Sequence, residues 1–202
     1  MAAELPATSR SLKKLIDSVY ETGVDLGIPM IPQDDALALY GAIYVFALQE
    51  DEPVILDAGA GVGYSTLWMA KALIDAGHPA RGYALEHRGE RFQILRDTLS
   101  RLNEYTGSRV EPVNQDALEY VSSRPMIDAN IVFIDIEKTK YIPFLEQVIQ
   151  KARRPTLIFV HNMLYPFEEI GEEVDAFMRR LGWRGTIIPT EMGLGLYYKE
   201  RR

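Results

Sequence analysis

The chain has no cysteine among its 202 residues. Disulfides, thiolate metal centres and cysteine nucleophiles are thereby excluded together, although the redox compartment stays open. Long apolar runs are missing too. None reaches the length of a membrane span, and MAAELPATSRSLKK lacks the apolar core of a signal peptide, so a cytoplasmic location is the default expectation. Internal repeats, linkers and low-complexity segments are absent. Positive charge is in deficit: a net charge of −7 argues against a broad phosphate-binding surface, because nonspecific nucleic-acid affinity comes mainly from Lys and Arg. The arginines that do cluster, at Arg88, Arg91 and Arg96 and at Arg153, Arg154, Arg179 and Arg180, have the spacing of solvated helix faces. What is present is 47% hydrophobic content, enough for one sizeable core, and a single domain over 1–202 is expected.

Residues 9–26 place Leu12, Leu15, Ile16 and Val19 on one helical face, and Pro29 and Pro32 end that helix. A second helix over about 34–49 carries Leu37, Tyr40, Ile43, Tyr44 and Ala47, a stripe expected to face the core. These two helices make an N-terminal segment, 1–50, ahead of a core over 51–202. Strands are expected near 54–57, 81–86, 109–113, 129–135 and 156–161, separated by helices over 65–76, 88–103, 115–123 and 139–152. Such alternation implies an α/β fold, a parallel sheet with helices on both faces. A last helix over about 167–181 leads to WRGTIIP and LGLYYKE, two strands joined by PTEMG, and so short a link makes them an antiparallel hairpin.

The stretch from Val54 to Trp68, VILDAGAGVGYSTLW, reads as a strand, a glycine-rich turn and the opening of a helix. Gly59, Gly61 and Gly63 remove three Cβ atoms where the chain bends, and Ser65 and Thr66 follow as capping hydroxyls. Such a turn binds an anionic or strongly polar group: a dinucleotide pyrophosphate, a nucleotide phosphate or an amino-acid carboxylate. A P-loop needs a lysine in the turn, and from the turn onward none occurs before Lys71. The dinucleotide fingerprint wants its third glycine at Tyr64, one residue late. The stretch does match D/E-x-G-x-G-x-G and so resembles the first motif of S-adenosylmethionine-dependent methyltransferases, with GYST narrowing the resemblance to small-molecule O-methyltransferases.

In open α/β sheets, ligands collect at the carboxyl ends of strands. The first end carries Asp57 and the glycine turn. The second carries Glu86, suited to both hydroxyls of a ribose, and the third leads to Asp116, able to accept from an adenine amino group or to cap the following helix. Asp135 ends the fourth strand, with Glu137 and Lys138 close behind, and His161 and Asn162 end the fifth. Asp135, His161 and Asn162 on neighbouring strands offer a carboxylate, an imidazole and an amide oxygen, a candidate divalent-metal shell. His78 and His87 lack such context and are read as surface residues.

Asp135, Lys138 and Tyr141 follow D-x-x-K-x-x-Y, and His161-Asn162 stands where Asp-Asn occurs in the metal-dependent catechol and caffeoyl-CoA O-methyltransferases, a family that roughly residues 30–200 resemble through TEMGLGLYYK. The resemblance implies a Rossmann-like, seven-stranded, mostly parallel sheet and a homodimer. It also implies S-adenosylmethionine at Asp57, Gly59, Gly61, Gly63, Ser65, Glu86, Asp116 and Asp135, a divalent metal, Mn²⁺ or Mg²⁺, at Asp135, His161 and Asn162, and a small hydroxylated, aromatic acceptor. Lys138 is the expected general base in the presence of a metal, and His161 is the expected base without one.

Two departures stand out. Histidine in place of aspartate removes one negative charge and favours Mn²⁺ and later ions over Mg²⁺. HNMLYPFEEIGEE also passes almost directly into a helix, shortening the cover over the acceptor. Two other functions stay open: methylation of a hydroxylated RNA base, which the negative charge disfavours, and cofactor binding without transfer.

Overall fold

The structure is a computed structural model that describes residues 7–152, 157–166 and 168–199. Residues before Ala7, Arg153 and Arg154, Thr156 of the expected fifth strand, Phe167 and Glu200 lie outside the described residues. The chain begins with α1 (Ala7–Asp25) and α2 (Gln33–Ala47), followed by β1 (Ile55–Ala58), α3 (Tyr64–Asp75), β2 (Arg81–Leu85), α4 (Gly89–Thr106) and β3 (Arg109–Val113). It continues with α5 (Ala117–Ser123), β4 (Ile131–Ile134), a 3-10 turn (Lys138–Lys140), α6 (Tyr141–Lys151), β5 (Leu157–Val160), α7 (Glu168–Arg180), β6 (Arg184–Ile188) and β7 (Leu194–Tyr198).

The strands form a seven-stranded sheet in the order β3-β2-β1-β4-β5-β7-β6. β1 pairs in parallel with β2 and β4, and β7 runs antiparallel to both β5 and β6, as the short PTEMG link requires. The order reverses between β1 and β4, where chain winding changes direction. A crevice opens at such a switch point, because the connections leave the strand ends towards opposite faces.

Alternation along the strands divides the core. Ile55, Phe133 and Phe159 pack with α1–α4, whereas Leu56, Val132 and Ile158 point to the face covered by α5–α7. The four apolar residues expected on α1, Leu12, Leu15, Ile16 and Val19, are all buried. Each such burial is worth roughly 1.5–3 kcal/mol, so packing rather than helix propensity holds α1 in place. On α2 the stripe is rotated from the expected one. Ile43 and Ala47 are buried, but Leu37 is 50% exposed and the buried face instead runs through Asp35, Ala36 and Leu39. A buried aspartate on this face is the first sign that α2 contributes to the site. Among the described residues no helix is long and apolar enough to cross a membrane.

α7 sits directly on the segment that follows β5. A Cβ at Gly171 would lie 1.9 Å from the Met163 carbonyl oxygen, so only glycine permits this approach. Gly171→Ala should push α7 away and destabilise the protein by about 1–3 kcal/mol, the usual cost of overpacking. Urea unfolding tests this, and an unchanged midpoint would contradict the close contact.

Candidate active site

The glycine turn takes its shape from the residues on both sides. Gly59, Gly61 and Gly63 all have positive φ, and the N–H groups of Gly59 and Ala60 donate to the Leu85 carbonyl at 3.1 and 2.9 Å, folding the turn over the end of β2. At Gly59 a Cβ would meet the Asp135 carbonyl oxygen at 2.0 Å, so the turns after β1 and β4 are in backbone contact. α3 starts at Tyr64 behind a left-handed Gly63, and Ser65 and Thr66 do not cap it as expected. Their hydroxyls instead donate to Asp57 Oδ2, at 2.8 and 2.5 Å. The fingerprint position at Tyr64 is therefore already helix, which is why the third glycine falls at 63.

Asp57 is wholly buried, and its Oδ1 has no partner. Burial raises its pKa to about 7, opposed by the hydroxyls of Thr66 and Ser65 and reinforced by the negative charges of Asp135 and Glu86. Glu86, just past β2, accepts from Gly61 N–H through Oε2 at 3.1 Å and from Arg88 N–H through Oε1 at 2.7 Å. It thus braces the glycine turn while each oxygen keeps a further lone pair. Asp116 caps α5 by accepting from Leu118 and Glu119 N–H, and its Oδ2 receives Lys140 Nζ at 3.0 Å. Burial pushes its carboxyl up, but these bonds outweigh burial and hold it below the usual range.

Gly59, Gly61, Glu86, Asp116, Asp135 and Lys138 line one cavity of about 280 Å³ at the switch point. Ser65 lines a smaller adjoining pocket, together with Pro29, Met30 and Ile31. The GIPMIP segment, read from sequence only as a helix break, therefore lies against the glycine turn. Gly63 and Asp57 stand behind the cavity wall, and His161 is 4% exposed. Of the two histidines read as surface residues, His87 is exposed, whereas His78 is half-buried with Nε2 3.0 Å from the Ala47 carbonyl.

His161 differs most from expectation. Its Nδ1 lies 3.2 Å from Asp135 Oδ1 and its Nε2 lies 3.3 Å from Asp35 Oδ2. Neither N–H is aligned well enough for a hydrogen bond, so the attraction is ionic. Burial lowers the imidazole pKa, but the two carboxylates outweigh burial and raise it to about 9. Asp135 moves the other way: burial raises its pKa, but His161 and Lys138 outweigh burial and hold it low. Beside it, Lys138 Nζ donates to Asn162 Oδ1 at 2.5 Å and lies 3.6 Å from Asp135 Oδ1. Asn162 adopts a left-handed φ of 57° and donates through Nδ2 to the Tyr165 carbonyl at 3.0 Å. Tyr141, the last member of D-x-x-K-x-x-Y, is buried and donates to the His161 carbonyl at 3.0 Å.

This geometry corrects two expectations for His161. An imidazolium facing a carboxylate at each nitrogen has no lone pair for a metal and cannot take a proton from an acceptor. The Asn162 oxygen is likewise engaged, and among the described residues no group of three or more His, Asp or Glu is arranged to hold a metal ion. The expected metal shell does not fit these residues.

Asp35 was missed in the sequence reading, as was Thr190, whose hydroxyl donates to Asp35 Oδ1 at 2.5 Å. A signal existed for Asp35: it precedes Leu39 by one turn and Ile43 by two, placing a carboxylate on the buried stripe. Lys140 carried no comparable signal.

The comparisons with known proteins agree with the fold. A family model described as a methyltransferase domain matches residues 56–163, and the chain belongs to that family. The chain is 30% identical over 122 residues to a catechol O-methyltransferase of Mycobacterium tuberculosis, covering 60% of this chain and 53% of the relative. It thus spans about half the length of that curated relative. Among solved structures, an O-methyltransferase from Bacillus cereus in complex with SAH superposes with a TM-score of 0.69 at 19% identity, covering 92% of this chain and 91% of that one. The O-methyltransferase TomG from Streptomyces achromogenes, in complex with SAM, gives 0.67 at 18% identity, covering 98% and 92%.

The His161 pKa sets a stability window. The folded value of about 9 lies above the ordinary 6.5, so this stabilisation is fully present below pH 6.5 and lost as pH rises through about 9. Thermal midpoints should therefore decline over that range more steeply in the wild type than in Asp35→Asn. Parallel curves would show that Asp35 does not govern the imidazole.

Proposed function

We propose that the chain is an S-adenosylmethionine-dependent O-methyltransferase acting on a hydroxyl of a small, aromatic acceptor. The observation that carries this reading is that Glu86, Asp116, Asp135 and Lys138 line one cavity together with Gly59 and Gly61 of the glycine turn. A nucleoside with an amino-acid arm matches that set of groups. The family match, and the catechol O-methyltransferase to which the chain is similar, support it.

In this reading the free lone pairs of Glu86 accept the two ribose hydroxyls, and Asp57, behind the cavity wall, acts through the glycine turn above it. Ser65 acts through Asp57, by fixing its carboxylate. The adenine amino group approaches Asp116 and shares its Oδ2 with Lys140. S-adenosylmethionine supplies, when bound, a methyl group already activated on a sulfonium centre. The chain must then orient an acceptor oxygen and remove its proton, since alignment contributes most to such a transfer. Lys138 is the group in reach: Nζ is partly exposed at the cavity edge and held as an ammonium by Asn162 and Asp135 in the resting site, and after giving one proton to solvent it takes the acceptor hydroxyl's proton, which restores the ammonium. Transfer of a labelled methyl group to a panel of catechols and other phenols tests the function, and no transfer to any of them, with the cofactor bound, would reduce the chain to a binding protein.

Two substitutions test the cofactor assignments. Glu86→Ala should weaken S-adenosylhomocysteine binding by about 1–3 kcal/mol, the range for a lost buried hydrogen-bond partner, and unchanged affinity in calorimetry would refute the ribose role. Asp57→Asn should raise the cofactor Kd more than it lowers the saturated rate. Normal affinity with no turnover would instead assign Asp57 to the chemistry.

A further inference from the structure

The cluster behind Asp135 is built from four charged groups of alternating sign: Asp35, His161, Asp135 and Lys138. His161 bridges the two carboxylates at 3.3 and 3.2 Å, and Lys138 Nζ approaches the same Asp135 oxygen at 3.6 Å while donating to Asn162. A nitrogen lone pair turned towards a carboxylate oxygen at such distances would be repelled. Both imidazole nitrogens therefore carry hydrogen, and two cationic groups balance two carboxylates. A divalent ion placed here would add two uncompensated positive charges beside an imidazolium and an ammonium, in a largely desolvated place. It would also have to remove Lys138 from the Asn162 oxygen.

The position of Asp35 makes the arrangement specific. This carboxylate has no exposed surface and comes from α2, outside the strand ends that supply the rest of the cluster. It is fixed by the Thr190 hydroxyl, and Asp34 beside it accepts from Glu191 N–H at 2.7 Å. Asp35 faces Nε2 while Asp135 faces Nδ1, so the second carboxylate favours the doubly protonated ring, and that ring keeps no lone pair at Nδ1 for a metal beside Asp135.

We propose that Asp35 and His161, with Lys138, take the place of the divalent ion, so that this site works with cations carried by the chain itself and binds no metal. Asp35 is a positioning residue that acts through His161. The inference deepens the methyltransferase reading and rests on it, but its first test does not require turnover.

Manganese alone is the probe. Mn²⁺ should be titrated into the protein saturated with S-adenosylhomocysteine, with free Mn²⁺ followed by electron paramagnetic resonance. Wild type should show no stoichiometric binding at millimolar Mn²⁺, and a one-to-one site would overturn the proposal. The double variant Asp35→Asn/His161→Asp replaces the bridge by an oxygen ligand and should bind Mn²⁺ at least ten-fold more tightly than wild type. If the folded variant binds no better, the bridge is not what excludes the ion, and the proposal falls. Should that variant fail to fold, the wild-type titration decides alone. Once an acceptor is found, activity after exhaustive chelation should stay within two-fold of the untreated enzyme, and loss rescued by Mn²⁺ or Mg²⁺ would overturn the proposal. Failure to methylate any acceptor would count against the function, while the titration would still judge the metal.

Discussion

The contact on which the site depends is the ionic bridge from Asp35 through His161 to Asp135. A buried carboxylate is tolerated only with a partner, and here one imidazole serves two of them. The bridge places Asp135 with one oxygen turned inward, towards His161 and Lys138, and leaves the other for the cavity. Tyr141 secures the His161 backbone from the opposite face of the sheet. The position of Asp135 at the end of β4 thus rests on Asp35, His161 and Tyr141, none of which lines the cavity beside the glycine turn.

The glycine turn obeys a second constraint, that of backbone crowding. Three positive φ values, two N–H groups on one carbonyl and the approach of the Asp135 carbonyl to Gly59 leave almost no freedom there. Glu86 then serves two purposes at once, bracing Gly61 and presenting lone pairs outward. Asp57 is the counterpart beneath the turn, its one oxygen saturated by hydroxyls and the other without a partner.

Local pattern made most of the architecture legible. Strand and helix alternation, the short link before β7 and the apolar face of α1 all depend on near neighbours in the sequence, and the structure follows them within a residue or a few. The residues around the cavity were legible for a similar reason: strand ends converge at one edge of a parallel sheet, so Glu86, Asp116 and Asp135 could be placed together from their positions, with Asp57 behind the wall. The parts misread depend on distant partners. His161 looked like a ligand or a base because Asp35, 126 residues earlier by subtraction of their numbers, is invisible from the strand end. Ser65 and Thr66 looked like caps because the Asp57 carboxylate beneath them shows no local sign. Leu37 was placed in the core because the stripe on α2 was drawn one position out, and the buried aspartate would have corrected it.

The tie between Asp35 and Thr190 spans 155 positions, and that between Asp34 and Glu191 spans 157. A growing chain therefore carries its N-terminal helices and most of the sheet long before the loop that completes the cluster has left the ribosome. Until then the carboxylate of α2 has no hydroxyl to hold it, and the edge of β5 lacks β7. Contacts so far apart close late, because loop-closure entropy must be overcome before they add stability. The residues that fix Asp35 are thus among the last of the described chain to be synthesised.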